Sequence, residues 1–246
     1  MIQTDTLKNG YKIIQDSERF QFGIDAVLLA DFAAGSVNKG DRIIDLGTGS
    51  GIIPLLMAKK VVSTGSATTT PIFTGLEIQR DSADMAAQSM ALNGLEKQIK
   101  IVCGDLKNAG DLFARHSFNV VTCNPPYMIV QHGKGNESDA KSIARHELLC
   151  TLEDVVAAAD SLLASHGKFF MIHRPFRLPE IFSALEKHKL EMKRMRLIQP
   201  FADKEPNMVL IEARKNAKRR LKIEPPLIVR DDNGIYTAEV QAIYEN

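Results

Sequence analysis

The chain has 246 residues, 44% of them hydrophobic, which is enough to bury one substantial core, so we expect a single domain spanning residues 1–246. Its net charge of +1 excludes a protein that binds nucleic acid through overall charge alone. The three cysteines lack C-x-x-C spacing and the histidines lack ligand spacing, so neither a disulfide framework nor a metal site is predicted. We expect His132, His146 and His173 in loops or on the surface.

The hydrophobic pattern predicts strands that alternate with helices, followed by two strands without a helix between them. This order is typical of a mostly parallel α/β sheet that ends in an antiparallel pair. The first residues lack a secretory signal and no apolar run is long enough to span a membrane, so we expect a cytoplasmic protein. The predicted strands are 10–15, 41–46, 71–78, 99–106, 118–123, 168–173, 192–199 and 208–213; the helices are 25–34, 52–60, 80–92, 152–164 and 178–188.

A glycine-rich turn follows the first central strand, where residues 45–51 read DLGTGSG. Glycine permits backbone conformations that let a ligand approach closely, and the following helix carries Pro54 in its first turn. The dinucleotide fingerprint requires G-x-G-x-x-G, but its third glycine would fall on Ile52 or Pro54. The spacing therefore argues against NAD or FAD.

Two further predicted strands end in acids, Glu77 and Asp105. Open α/β sheets bind ligands at the carboxyl ends of their strands. A carboxylate at the first position could accept the hydroxyls of a ribose, and one at the second could accept the exocyclic amine of an adenine. Solvated acids at strand ends would look the same in the sequence.

The fourth strand end reads Asn124-Pro125-Pro126-Tyr127. Neither proline can donate a ladder hydrogen bond, so the strand stops there in a stiff turn. The Asn124 side-chain oxygen, the Pro125 carbonyl and the Tyr127 ring are then held in fixed relation, as the binding of a planar amine requires. A rigid turn with a surface tyrosine is the other interpretation.

Together these four strand ends resemble the Rossmann-like class I methyltransferases that use S-adenosylmethionine, in the branch that methylates planar nitrogens. The segments FGIDAVLLA (22–30), ARHE (144–147) and PPLIV (225–229) are similar to bacterial tRNA adenine-N6 methyltransferases that modify the adenosine beside the anticodon of valine tRNA. The resemblance implies an α/β fold with a seven-stranded, mostly parallel sheet, a final antiparallel strand and helices on both faces. It divides the domain into a lid (1–40), a core (41–215) and an extension (216–246).

The resemblance also implies roles for individual residues. Asn124, Pro125, Pro126 and Tyr127 would be catalytic, on a single-stranded loop adenosine of tRNA, and no metal would be needed. Asp45 would hold the amino group of the cofactor, and Ile78 and Leu106 would enclose its adenine. The full set implied to bind S-adenosylmethionine is Phe22, Asp25, Asp45, Gly47, Thr48, Gly49, Gly51, Glu77, Ile78, Asp105, Leu106 and Asn124.

Basic residues are concentrated late in the chain. Residues 187–222 hold twelve Lys or Arg against four acids, a local charge of +8. Such a segment suits contact with phosphates, and we expect RNA contacts from Lys218, Arg219 and Arg220. A mobile loop is predicted at 128–142, and we expect a further RNA contact from Arg145 in the segment after it. An ordinary solvated surface is the alternative.

Other functions fit parts of this pattern. A protein glutamine-N5 methyltransferase also uses NPPY, but that family carries a helical domain before the glycine loop, and only 44 residues precede Asp45. A DNA adenine methyltransferase would need a target-recognition domain. An enzyme that methylates guanine N2 of ribosomal RNA remains open, and so, from a different class, does a non-catalytic RNA-binding protein.

Overall fold

The computed structural model describes residues 1–17, 22–63, 70–125 and 150–245. Within these residues, an eight-stranded sheet lies between two layers of helices, and a separate two-stranded hairpin precedes it. The strands are β1 Ile2–Thr6, β2 Lys12–Asp16, β3 Arg42–Leu46, β4 Ile72–Glu77, β5 Ile99–Cys103, β6 Phe118–Cys123, β7 Leu163–His173, β8 Leu190–Gln199, β9 Met208–Lys215 and β10 Lys222–Ile228. The helices are α1 Ile24–Ala34, α2 Ile52–Ser63, α3 Arg80–Leu92, α4 Ala109–Leu112, α5 Leu152–Leu162, α6 Leu178–Lys187 and α7 Ala238–Glu245.

The strand order of the large sheet is β10-β8-β9-β7-β6-β3-β4-β5. Every neighbouring pair is parallel except those made by β9, which runs antiparallel to both β7 and β8. The predicted mostly parallel α/β sheet is therefore confirmed, and β8 and β9 form the predicted antiparallel pair. The antiparallel strand β9 is not the final strand, because β10 follows it and runs parallel to β8. The predicted mobile loop at 128–142 lies outside the described residues.

The predicted number of seven strands is wrong, because β10 adds an eighth at the edge beside β8. Pro225 and Pro226 lie inside β10, and its register with β8 shifts between Glu224 and Leu227. Proline cannot donate to a ladder, so a sequence that contains two prolines does not resemble a strand. An edge position tolerates them, because one side of an edge strand needs no ladder partner.

The sequence predicts the amino-terminal hairpin only in part. The strand expected at 10–15 is β2, which begins two residues later and pairs antiparallel with β1. The sequence does not predict β1, because Ile2–Thr6 is mostly polar and exposed and has no apolar alternation. The hairpin contacts the main body where Asn93, after α3, accepts a hydrogen bond from the Lys12 N–H at 2.9 Å.

Side chains alternate between two apolar layers. Val120 and Phe170 face the layer that contains α1, α2 and α7, whereas Val121 and Phe169 face the layer that contains α5 and α6. This period of two also sets the direction of polar residues further along β6. Thr122, two residues after Val120, therefore faces the layer that contains α1 and α2.

Helix α1 is fixed to the sheet by polar contacts. The Arg194 guanidinium of β8 lies 3.8 Å from the centre of the Phe32 ring and donates to Glu212 at 2.8 Å. On the other side, Lys60 of α2 donates to Asp31 at 2.6 Å. These contacts hold the carboxyl-terminal half of α1 against β8 and α2.

In the part of the chain that the structure describes, no helix combines the length and apolar character needed to cross a membrane. The same residues contain no group of three His, Cys, Asp or Glu side chains that could hold a metal ion.

Candidate active site

The carboxyl ends of β6, β3, β4 and β5 lie side by side at one edge of the sheet. Leu46 pairs with both Cys123 and Leu76, and Glu77 pairs with Cys103, so the glycine turn lies between the ends of β6 and β4. The four polar strand ends that the sequence predicts are thus brought together along one edge.

Asp45 is the most buried acid of this edge, with 1% of its surface exposed. Thr122 of the neighbouring strand donates a 2.6 Å hydrogen bond to its Oδ1 atom. Burial raises the pKa of Asp45 to about 7, although the hydrogen bond from Thr122 opposes this shift. The sequence does not predict a role for Thr122, whose only signal is that it is a polar residue two positions before Asn124, on the same face of β6.

Two buried polar atoms beside the glycine turn lack a hydrogen-bond partner among the described residues: Asp45 Oδ2 and the hydroxyl oxygen of Thr48. Gly75 allows Thr48 to approach, because a Cβ there would lie 2.7 Å from the Thr48 methyl carbon. Unpaired buried acceptors cost free energy unless a ligand satisfies them. An acceptor pair of this kind fits the amino group of S-adenosylmethionine, so the residues present suit that cofactor.

Glu77 holds the glycine turn in place. Its Oε2 accepts from the Gly49 N–H and its Oε1 from the Gln79 N–H, both at 2.9 Å. Gly47 and Gly49 have positive φ values of 68° and 57°, and a Cβ on either would meet nothing within 4 Å. A carboxylate has about four acceptor sites, so Glu77 retains capacity for ribose hydroxyls.

Gly51 is required for a different reason. Its φ is 80°, and a Cβ would lie 2.9 Å from the Met90 methyl carbon of α3. The third glycine therefore allows the turn before α2 to pack closely against α3, whereas the first two leave open space for a ligand.

The end of β5 supplies Asp105, whose Oδ1 accepts from the Lys107 N–H at 2.9 Å and caps a short 3₁₀ turn. Leu106 is partly buried within that turn, and Ile78, after β4, is 39% exposed. The Gly104 N–H donates to the Glu77 carbonyl at 2.9 Å, which holds the ends of β4 and β5 together.

Asn124 and Pro125 follow β6 directly, and Pro125 is buried. The Asn124 Nδ2 atom donates to Asp25 Oδ2 at 3.1 Å. Phe22 is partly buried against the α1 layer, and its N–H donates to the Gln15 side chain at 3.3 Å. Pro126, Tyr127 and Arg145 lie outside the described residues.

His173 ends β7, the strand beside β6, and only 3% of its surface is exposed. The expectation of a surface or loop histidine is therefore wrong for this residue. Burial, together with the charges of Arg177 and Arg174, lowers its pKa to about 4, so the ring is neutral at physiological pH. Its Nδ1 accepts from the Arg174 N–H at 2.8 Å.

The basic cluster Lys218–Arg219–Arg220 is exposed, but it lies at the edge formed by the amino ends of the parallel strands, opposite the edge that carries the candidate site. Because β9 runs antiparallel, its last residue Lys215 pairs with Leu190 at the start of β8. The cluster follows Lys215 and so lies at the amino ends of the parallel strands, roughly 20 Å from Asn124 at 3.3 Å per residue and 4.8 Å per strand.

Acids neutralise much of the remaining basic stretch. Glu212 accepts from both Arg194 and Arg214, and Glu239 accepts from Arg196. The local excess of +8 counted from the sequence is therefore spread along β8 and β9 and reduced by charges from elsewhere in the chain.

Comparison with known proteins agrees with this site. Residues 37–219 match the family model described as methyltransferase domain. Two relatives named tRNA1(Val) (adenine(37)-N6)-methyltransferase are each 26% identical: one from Porphyromonas gingivalis over 96% of this chain and 91% of its own, and one from Photobacterium profundum over 89% of this chain and 87% of its own.

A solved structure of a predicted O-methyltransferase from Agrobacterium tumefaciens has a TM-score of 0.70 and 22% identity, over 89% of this chain and 95% of that chain. This likeness shows the shared fold. The family model matches most of the chain, including the glycine turn and all four strand ends. The chain therefore belongs to the methyltransferase domain family, and it is a methyltransferase that uses S-adenosylmethionine.

Proposed function

We propose that this enzyme methylates the exocyclic N6 amine of an adenosine in tRNA, the one beside the anticodon of valine tRNA. The observation that carries the proposal is the Asn124–Pro125 pair, held at the carboxyl end of β6 directly beside Asp45, Thr122 and the glycine turn. The names of the two relatives, which align over nearly their whole length, support adenine and tRNA as the target.

The residues after β6 are suited to bind and orient a planar amine as the group to be methylated. Its lone pair is delocalised into the ring, so the site must orient the nitrogen rather than supply a strong base. The Asn124 side-chain oxygen and the Pro125 carbonyl would each accept one amine hydrogen, which favours a pyramidal nitrogen. When bound, S-adenosylmethionine supplies a methyl group on a positively charged sulfur, which is a good leaving group.

The other strand ends would hold the cofactor. Asp45 and Thr48 would accept hydrogen bonds from its amino group, which would satisfy their buried atoms. Glu77 would accept from the ribose hydroxyls and Asp105 from the adenine amine, with Ile78 and Leu106 on either side of the ring. Gly47 and Gly49 leave the space that a close backbone approach requires.

The RNA must present an unstacked base to this edge, because an amine inside a stack cannot reach the methyl group. Tyr127 would stack on that base. If Lys218–Arg220 and Arg145 also bind RNA, the tRNA must extend across the sheet from one edge to the other.

A pair of matched transcripts tests the proposal. One is valine tRNA, and the other differs only by guanosine in place of the target adenosine. Each is incubated with the protein and S-adenosylmethionine carrying an isotopically labelled methyl group, digested to nucleosides and analysed by mass spectrometry. We expect labelled N6-methyladenosine from the first transcript alone.

Other products would reject the proposal in distinct ways. A labelled methylguanosine would show that the enzyme methylates a different base. Label that appears only in protein, when total cell protein is added, would show a protein substrate, as a glutamine-N5 methyltransferase would require. Binding of tRNA without any methylated product would favour a non-catalytic role.

A further inference from the structure

We infer that Asp25 is a positioning residue that sets the orientation of the Asn124 amide. The two residues are 99 positions apart, yet Asn124 Nδ2 lies 3.1 Å from Asp25 Oδ2. The family resemblance implies that Asp25 binds the cofactor; the geometry instead directs its carboxylate to the residue after β6. The inference rests on the proposed function, because it requires that the group to be methylated is an amine.

The chemistry of the pair allows only one orientation of the amide. A side-chain amide has a donor end and an acceptor end, whereas an ionised carboxylate only accepts. Asp25 therefore binds the NH₂ end and turns the Asn124 oxygen away from itself. In the opposite orientation, two oxygens would face each other, and a donor rather than an acceptor would face the substrate amine.

Asp25 is itself held firmly. Only 8% of its surface is exposed, and its Oδ1 accepts from the Ala26 N–H at 3.0 Å. A Cβ on Gly23 would lie 2.7 Å from that same oxygen, so glycine leaves the room that this rotamer needs. The carboxylate also lies in the first turn of α1, where the helix dipole favours negative charge.

The carboxyl-terminal helix α7 packs against α1, the helix that carries this carboxylate. Burial raises the pKa of Tyr244 in α7, and its hydrogen bond to Tyr236 and the Asp25 charge add to the shift. The two tyrosine rings are stacked with their centres 5.5 Å apart. Asp25 is itself largely buried, which keeps the Asp25–Asn124 hydrogen bond away from bulk water and strengthens it.

The first test separates positioning from cofactor binding. Asp25→Ala should lower kcat by about 10- to 100-fold, because a misplaced acceptor no longer orients the amine, and should leave the calorimetric affinity for S-adenosylmethionine unchanged. Asp31→Ala is the matched control, since it removes a carboxylate from the same helix that bonds to Lys60 instead. Weaker cofactor binding with unchanged kcat at saturating cofactor would overturn the inference.

The second test exchanges the two groups. Asn124→Asp alone places two carboxylates within hydrogen-bond distance, and Asp25→Asn alone lets both amides adopt either orientation, so we expect both single variants to be impaired. The double variant Asp25→Asn/Asn124→Asp restores one donor–acceptor pair and leaves an oxygen for the substrate amine. We expect its kcat to exceed that of each single variant by about tenfold or more. A double variant no better than the poorer single variant would contradict the inference.

A third measurement needs no activity. In protein labelled with ¹⁵N at asparagine, the Asn124 side-chain signals are identified by their loss in Asn124→Ala. We expect one of its two protons to be shifted downfield in the wild type and to move upfield in Asp25→Asn. An unshifted pair in the wild type would overturn the inference, whereas absent methylation of tRNA by the wild type would reject only the proposed function.

Discussion

Thr122 and Asp45 are joined by a 2.6 Å hydrogen bond between neighbouring strands, 77 residues apart in the chain. The bond satisfies one oxygen of a buried carboxylate and leaves the other without a partner among the described residues. Without a bound ligand, the protein therefore holds the Asp45 carboxyl group in a place from which water is excluded. A positively charged hydrogen-bond donor on a ligand is best suited to bind this group. This relationship makes the stability of the free protein depend on pH.

We expect Asp45→Asn to stabilise the free protein at alkaline pH. The pKa of Asp45 is about 7 in the folded protein, against an ordinary value of 3.8 for an aspartate in water, so the folded chain keeps a proton that the unfolded chain releases. Stability therefore falls as pH rises from about 4 to about 7, and the loss is constant above that. The variant should be more stable than the wild type at pH 8 by on the order of 2–4 kcal/mol.

Chemical denaturation at about pH 8 and about pH 4.5 measures this difference. It should shrink towards zero at the lower pH, where the wild type is largely protonated when folded and partly protonated when unfolded. The exposed acid Glu96 provides a control, since Glu96→Gln should show no such dependence. An equal difference at both pH values would contradict the assigned role of Asp45.

Removal of the Glu77 carboxylate should weaken cofactor binding. Glu77→Ala loses the acceptors for the ribose hydroxyls and for the Gly49 N–H, so we expect a loss of about 1.5–3 kcal/mol in calorimetric titration with S-adenosylmethionine. Glu96→Ala, near the opposite edge of the sheet, should bind as the wild type does. Equal affinity of Glu77→Ala and the wild type would exclude this residue from the cofactor site.

Asn124→Ala should separate binding from chemistry. We expect kcat to fall by about 100-fold or more, because the substrate amine loses its side-chain acceptor. The variant should still bind S-adenosylmethionine, since the acids of β3, β4 and β5 are intact. Single-turnover assays and calorimetry on the same preparation measure the two properties, and a variant with normal turnover would remove Asn124 from the catalytic group.

The basic cluster provides a test of RNA binding at the opposite edge. Reversing Lys218, Arg219 and Arg220 to glutamate should weaken tRNA binding and make its salt dependence less steep, with a log–log slope reduced by about 2–3 if three phosphate contacts are lost. Cofactor affinity should not change. Lys97, Lys100 and Arg115 are also exposed near the amino edge, so their reversal controls for total charge.

The outcome of this comparison is informative in both directions. If only the first triple variant loses affinity, the tRNA reaches across the sheet to the cluster. If both lose affinity equally, the effect reflects net charge, and Lys218–Arg220 is an ordinary solvated surface.

The sequence by itself determined the central strands, the helices between them and the polar residues at the strand ends. The predicted bounds of helix α3 are the observed ones, and Gly94 after it has a positive φ of 66°, as is usual for a glycine that ends a helix. The glycine turn and the acids Glu77 and Asp105 lie where their strands stop. These features depend on hydrophobic period, turn residues and proline, which act over a few residues and can be read locally.

Only the tertiary structure decided which of these groups meet. The hydrogen bonds of Thr122 to Asp45 and of Asn124 to Asp25 depend on strand order, register and the position at which α1 docks. The antiparallel direction of β9 places Lys218–Arg220 at the edge opposite Asn124, although the sequence predicts that the cluster binds the same RNA on which Asn124 acts. β10 is a strand only because an edge beside β8 accepts its prolines. Each of these outcomes depends on contacts between residues far apart in the chain, which local patterns do not encode.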